Sequence, residues 1–307
     1  MSTALQKSLS IVFLMTLCSG CSQKSTDTLR LEKHLTTITK SPAFRNYSNV
    51  EELDRVCDYI ASEFNQHTDS TKFQNFSVNG STYRNVIASF GTNNEHRIIV
   101  GAHYDVCGNQ EGADDNASGV VGLLELARLL KNDTLKYRID LVAYSLEEPP
   151  YFRTENMGSY VHAKSLITEK LDVKGMISLE MIGYFSSEAN SQHYPDARLS
   201  AVYGTKGDFI SLVGRINKKQ FAKDFNTHFK NTDIIKTVGF DGPSSTEGVD
   251  FSDHLNYWKF DISALMITDT AFLRNSNYHE KTDTMNTLDL ERMALVINAV
   301  HQTLLRL

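Results

Sequence analysis

Two carboxylates, Asp114 and Asp115, stand side by side in GADDNASG (residues 112–119), where an apolar stretch is about to begin. Adjacent carboxylates repel each other, and an acidic turn ahead of a helix commonly caps it. Such a turn can also hold a cation. Other candidates fall at the ends of apolar runs: His103 and Asp105 close HRIIVGAHYD, Glu147 and Glu148 close YRIDLVAYSLEE, and Glu180 follows VKGMISL. None of these has a Lys or Arg placed beside it. Gathering so many carboxylates without countercharge is costly, because burial disfavours each charged form and like charges repel. A metal ion removes that cost, and mixed imidazole and carboxylate ligands suit zinc. The excess of carboxylates suits two ions better than one, a shared carboxylate holding them about 3.5–4 Å apart as in hydrolytic two-metal sites.

For these residues to meet, the elements carrying them must end at one edge. VEELDRVCDYIASEFNQ (residues 50–66) has Val50, Leu53, Val56, Cys57, Ile60 and Phe64 at helical spacing. STYRNVIASF reads as a strand, HRIIVGAHYD as a more buried one, and GVVGLLELARLLKN as a helix. YRIDLVAYSLEE is a strand, MGSYVHAKSLI a helix, and VKGMISLEMIGYF holds another strand. The remaining expectations are a strand at LSAVYG, a helix across DFISLVGRINKKQFAKDF, a strand at ISALMIT and a closing helix over LDLERMALVINAVHQTLL. Strands alternating with helices predict an α/β layered fold with a largely parallel central sheet. In open sheets of this kind, ligands bind at the carboxyl ends of the strands. Asp115, at the start of the helix after the first buried strand, belongs to the same rim.

The chain has 307 residues, a net charge of −6 and no long basic run, which argues against a nucleic-acid partner. Its beginning differs from the rest. Lys7 precedes the apolar LSIVFLMTL, too short to span a bilayer, and the run ends at CSGC. This resembles a bacterial lipoprotein signal over 1–20, with Cys21 the lipidated first residue of the mature chain; Cys18 departs from the usual Leu. The expected organisation is that leader, a polar tether at 21–28 and one catalytic domain over 29–307, exported and held to the envelope membrane. Plain secretion is the alternative. Cys57 and Cys107 then remain, as two free thiols or as a bridge.

Taken together, GAHYD, GADDNASG, SLEEPP, LEMIGY and SDH resemble, in order and spacing, metallopeptidase family 28 of clan MH, the di-zinc aminopeptidases. The resemblance runs from the helix near residue 50 to NYHEKTDT and the last helix. It implies a zinc-dependent exopeptidase fold, a three-layer arrangement with a largely parallel mixed sheet between helices. It also implies two Zn2+ per chain, with His103 and Glu180 on one, Glu148 and His254 on the other, and Asp115 bridging. Glu147 would be the general base, taking a proton from the attacking water and passing it to the leaving amine. Asp105 would accept the free ring N–H of His103 and fix its tautomer. The Asp115–Asn116 peptide bond would be cis.

Two departures stand out. Glu180 occupies a position where many relatives have Asp, and Glu280–Lys281 replaces the usual Thr-Pro after His279. His279 is therefore read as lining a substrate cleft or as structural, with Asp283 equally open. Arg153 reads as a loop organiser; His162, His193, His228 and His301 read as surface or packing residues. The resemblance implies hydrolysis of peptides, foremost by removing N-terminal residues, although dipeptidase or carboxypeptidase action fits the same ligands. A single-zinc acyl transferase like glutaminyl cyclase is the second reading, and a non-catalytic binding protein on this fold the third.

Overall fold

The computed structural model describes residues 25–68 and 70–307. The leader at 1–20, the lipid-bearing Cys21 and the first part of the tether lie outside the described residues. Residues 25–28, expected to be tether, are held instead: the Thr26 amide donates to Asn298 Oδ1 (3.0 Å), and Asp27 caps the first helix by accepting from the Leu29 amide.

Along the chain come α1 (Thr28–Thr39), α2 (Val50–Asn65), β1 (Thr71–Val78), β2 (Ser81–Phe90) and β3 (Arg97–His103). Next are α3 (Gly119–Leu130), β4 (Arg138–Tyr144), α4 (Gly158–Thr168) and β5 (Val173–Glu180). The last part holds α5 (Ser200–Tyr203), β6 (Ile210–Arg215), α6 (Gln220–Lys230), β7 (Thr237–Gly242), α7 (His254–Lys259), β8 (Ala264–Thr268) and α8 (Leu290–Arg306). One sheet carries all the strands in the order β1-β2-β4-β3-β5-β8-β6-β7. The middle strands β4, β3, β5 and β8 run parallel, whereas β2 meets β4 and β6 meets β8 in antiparallel fashion. The sheet is thus mixed, with a parallel centre.

Alternation along the middle strands builds two cores, since successive side chains leave opposite faces. Ile98, Val100 and Ala102 of β3, with Leu141 of β4 and Leu265 of β8, face the layer of α1, α2, α3, α6 and α8. Ile99, Val142, Tyr144, Met176 and Met266 face α4 and α7. The sheet lies between two helical layers. Gly101 is needed here, because a Cβ at that position would meet Tyr144 Cε2 at 2.3 Å.

Two expected elements take other forms. LSAVYG is the short helix α5 instead of a strand, and its Val202 is exposed. DFISLVGRINKKQFAKDF is not one helix: Ile210–Arg215 is the buried strand β6, Asn217 turns the chain with φ 62°, and α6 follows. A continuous apolar run fits a buried strand as well as a helix, and here a turn separates the two.

Candidate metal centre

Parallel register brings the strand ends to one rim. His103 ends β3 opposite Tyr144 of β4, and Glu180 ends β5 opposite Thr268 of β8. After β4 the chain turns through Leu146, with φ 60°, and presents Glu147 and Glu148 ahead of a cis Pro149–Pro150 bond. Asp115 enters from a kinked segment, Ala113–Ser118, just before α3, and the Asp115–Asn116 bond is cis. Gly112 makes the approach possible: its φ is 56°, and a Cβ there would lie 2.2 Å from the Asp115 carbonyl oxygen.

Four carboxylates and two imidazoles converge. His103 Nε2 lies 3.4 Å from Asp115 Oδ1, 3.4 Å from Glu180 Oε1 and 3.9 Å from Glu147 Oε2. On the far side, His279 Nε2 lies 3.2 Å from Asp115 Oδ2 and 3.3 Å from Glu148 Oε2. The two oxygens of Asp115 thus face different histidines. Asp115, Glu147, Glu148, Glu180 and His279 line one cleft with Pro149, Phe152, Phe251 and Tyr278. The His279 ring stacks on Tyr278 with centroids 3.8 Å apart.

His254 does not join them. Its Nε2 lies 2.8 Å from the Val249 carbonyl oxygen, its ring packs edge-on against Trp258, and burial pushes it down to about 4. Adjacent helical residues point about 100° apart, and it is Asp253 that sits near His103 and Glu180. Burial pushes the Asp253 carboxyl up to about 7, with Glu180 and Asp105 adding to the rise against the opposing pull of His103. The expectation that His254 is a ligand is corrected by this geometry, and His279, left undecided, takes the facing position.

Polar contacts around the cluster fix its members. The Asp105 carboxylate accepts the backbone amides of Glu147 and Glu148, both at 3.1 Å. His103 Nδ1 is nearer the Asp105 main-chain oxygen (3.2 Å) than its carboxylate (3.5 Å), so Asp105 orients the acid pair as well as the imidazole. Ser252 Oγ donates to Glu180 Oε2 (2.7 Å), and Asn116 Nδ2 reaches the same oxygen at 3.3 Å, leaving Oε1 towards His103. These contacts hold the longer glutamate side chain in place. Asp283 accepts the amides of Asp114 and Asp115 at 2.9 and 3.0 Å. Asp114 is not a helix cap: it accepts from the Gly183 amide and Asn275 Nδ2. Arg153 is the loop organiser expected, paired with Asp250 and lying over Phe152 and Phe251.

The donor set fits divalent cations. Asp115 Oδ2 and Glu148 Oε1 are buried and accept no hydrogen bond. Among the described residues, the ion pairs of these four carboxylates are with the two histidines. The nearby Arg45 donates instead to the carbonyls of Tyr104, Glu111 and Gly112. Burial drives the Glu147 carboxyl well above its ordinary range and Glu148 up to about 7, with neighbouring carboxylates adding to both. Burial also raises Asp115, but His103 and His279 outweigh it and hold that carboxyl below the usual range. His279 is opposed by burial and nonetheless rises to about 10 beside Asp115 and Glu148. Such a cluster is short of positive charge. Ligand atoms of His103, Asp115 and Glu180 lie within 4.8 Å of one another, as do those of Cys107, Glu148 and His279.

Comparison with known proteins agrees with this chemistry. The model of peptidase family M28 matches residues 85–304. An uncharacterised Escherichia coli K12 protein, YfbL, is 43% identical over 279 residues, covering 88% of this chain and 85% of its own. Leucine aminopeptidase 1 of Aspergillus oryzae is 28% identical over 68% of this chain; the match spans about half (51%) of the fungal protein. LapB from Legionella pneumophila superposes with a TM-score of 0.70 at 19% identity, covering 90% of this chain and 71% of that one. Glutaminyl cyclase from Bacteroides thetaiotaomicron superposes at 0.67 and 17% identity, over 92% and 99%. At such identities these two structures share the fold.

Proposed function

This chain belongs to peptidase family M28 and is a metallopeptidase, and from that premise we propose that it is a dinuclear zinc aminopeptidase. One observation carries the count of two: Asp115 Oδ1 faces His103 while Oδ2 faces His279. His103 and Glu180 would hold one ion, Glu148 and His279 the other, and Asp115 would be shared. When bound, the ions supply Lewis acidity, acidifying water and polarising the scissile carbonyl. Glu147 lines the cleft, and its backbone is fixed by Asp105. Its carboxylate takes the proton of the attacking water and delivers it to the departing amine. Glu148, adjacent but facing His279, would be a ligand instead of a base; neighbouring carboxylates acquire different tasks from different surroundings.

The cleft also supports exopeptidase action on apolar residues. An apolar recess lined by Tyr203, Phe209, Val213, Phe240, Met266 and Phe272 adjoins it, sharing Glu180 and Tyr278. A side chain seated there would place its own amino group beside the acidic rim. The expected result for Glu147→Gln is unchanged zinc content with hydrolysis of unblocked peptides lowered about 10²–10⁴-fold, and no cleavage of N-terminally blocked peptides by either protein. Undiminished activity in Glu147→Gln removes the proposed base, and cleavage of blocked peptides removes the aminopeptidase reading.

The glutaminyl-cyclase-like alternative rests on the shared fold and expects one zinc per chain where the dinuclear reading expects two. A role confined to binding has less support, because each facing position carries a competent ligand. The first 21 residues support export and lipid attachment at Cys21, at the envelope membrane. Labelling with a radioactive fatty acid in a bacterial host should mark the wild type and leave Cys21→Ser unlabelled; labelling that persists in the variant excludes Cys21.

A further inference from the structure

We propose that Cys107 is a ligand of the same cation as Glu148 and His279, an inference that rests on the dinuclear reading. Cys107 and Cys57 are free thiols in unlike places: Cys57 is buried in the core, whereas Cys107 is half-buried on the loop after β3. Cys107 Sγ, a Glu148 carboxylate oxygen and a His279 ring nitrogen all lie within 4.8 Å of one another. The thiol does not stand alone, because Glu148 Oε1 is buried and accepts no hydrogen bond.

The loop holds the sulfur in place on both sides. The Val106 amide donates to the Arg45 carbonyl (3.1 Å), and Asn46 Nδ2 donates to the Gly108 carbonyl (2.7 Å). Gly108 has a φ of 63°, so the chain turns directly after the thiol. Arg45 Nε fastens the start of the same loop at Tyr104 and its guanidinium fastens the end at Glu111 and Gly112. A side chain so placed can ligate without a large rearrangement.

Thiolate, imidazole and carboxylate together suit zinc, and a soft sulfur biases a site away from magnesium, calcium and manganese. On binding, the Cys107 thiol gives its proton to solvent and the sulfur donates an electron pair to the cation. With Asp115 shared, the Glu148–His279 ion would have four protein ligands and the His103–Glu180 ion three. Structural zinc sites are closed by protein, and catalytic sites keep a position open. Cys107 therefore assigns unequal tasks to the two halves, leaving the open position beside His103 and Glu180.

The test uses the full-length chain, stripped with a chelator and reloaded with Co(II) alone. The wild type should show a near-ultraviolet thiolate-to-cobalt charge-transfer band together with visible d–d bands. Cys107→Ser should lose the first and keep the second, whose persistence reports a folded, loaded site. Cobalt should likewise shield one thiol from a thiol reagent in the wild type and none in the variant. Loaded wild type without the charge-transfer band, or Cys107→Ser with the band intact, overturns the assignment and leaves the dinuclear reading standing. A protein that takes up no cobalt overturns both.

Discussion

His254 and His279 show how far a histidine's surroundings decide its use. The first is walled in by Trp258 with Nε2 towards a carbonyl; the second lies between two carboxylates at the mouth of a cleft. His279→Ala should lower zinc content from about two to about one per chain, while His254→Ala keeps the wild-type content in whatever fraction folds, both measured by elemental analysis. Zinc loss in His254→Ala with retention in His279→Ala would reverse the assignment. His103, Asp115, Glu147, Glu148 and Glu180 were legible in the sequence because each ends an apolar strand or begins a helix. SDH misled because it correctly marks a segment at the rim while presenting Asp253 there in place of His254. His279 has no apolar run before it. Its only signal is the likeness of YHEKTDT to a family segment, and Asp283, which accepts the Asp114 and Asp115 amides, belongs to that same stretch.

At the level of elements, the middle strands were readable for a simple reason: both faces are buried, so they appear as apolar runs bounded by polar residues. The outlying ones were harder. β1 is mostly exposed or half-buried, with Val78 alone buried, and among the described residues it pairs with β2 at the sheet edge, which leaves little hydrophobic signal. In the β6–α6 segment, a buried strand and an amphipathic helix are separated by only residues 216–219, so apolar positions recur through both without a clear break. Loops carry their own order, which pattern reading misses altogether. Arg45 is buried before α2, yet it fastens the loop between β3 and α3 through three carbonyls. Arg45→Met takes the side-chain donor from the Tyr104 and Glu111 carbonyls and leaves Gly112 with the Ala117 amide, at about 1–3 kcal/mol for each acceptor that stays buried and unpaired. The expected outcome is a loss of about 2 kcal/mol or more in urea unfolding, together with weaker zinc binding. A variant as stable as the wild type would show that water replaces the guanidinium without cost.

Across the whole molecule, stability carries a built-in acid limit. His162 of α4 is packed against Tyr144 of β4 and Tyr257 of α7, its Nδ1 2.7 Å from the Tyr257 hydroxyl, and burial pushes it down to about 4. His254 is depressed to the same degree by the same cause. Both folded-state values lie below the unfolded value of about 6.5, so the unfolded chain binds protons first as pH falls. Their contribution is intact above about pH 6.5 and is lost as pH drops towards 4, on the order of 3 kcal/mol for each ring. Urea midpoints of chelated protein measured across that window should fall, and fall less steeply in His162→Phe. Equal slopes in the two proteins would mean that other groups set the limit.

Asp115 also ties the order of assembly to the order of the chain. One of its oxygens looks towards His103, twelve residues earlier, and the other towards His279, far later in the chain, and its amide is seated by Asp283, just ahead of α8. A nascent molecule whose final segment has yet to dock offers an ion only half a cradle. On the dinuclear reading, occupancy of both halves would work as a checkpoint, passed only when the last elements are in place, and an unfinished copy would stay proteolytically silent.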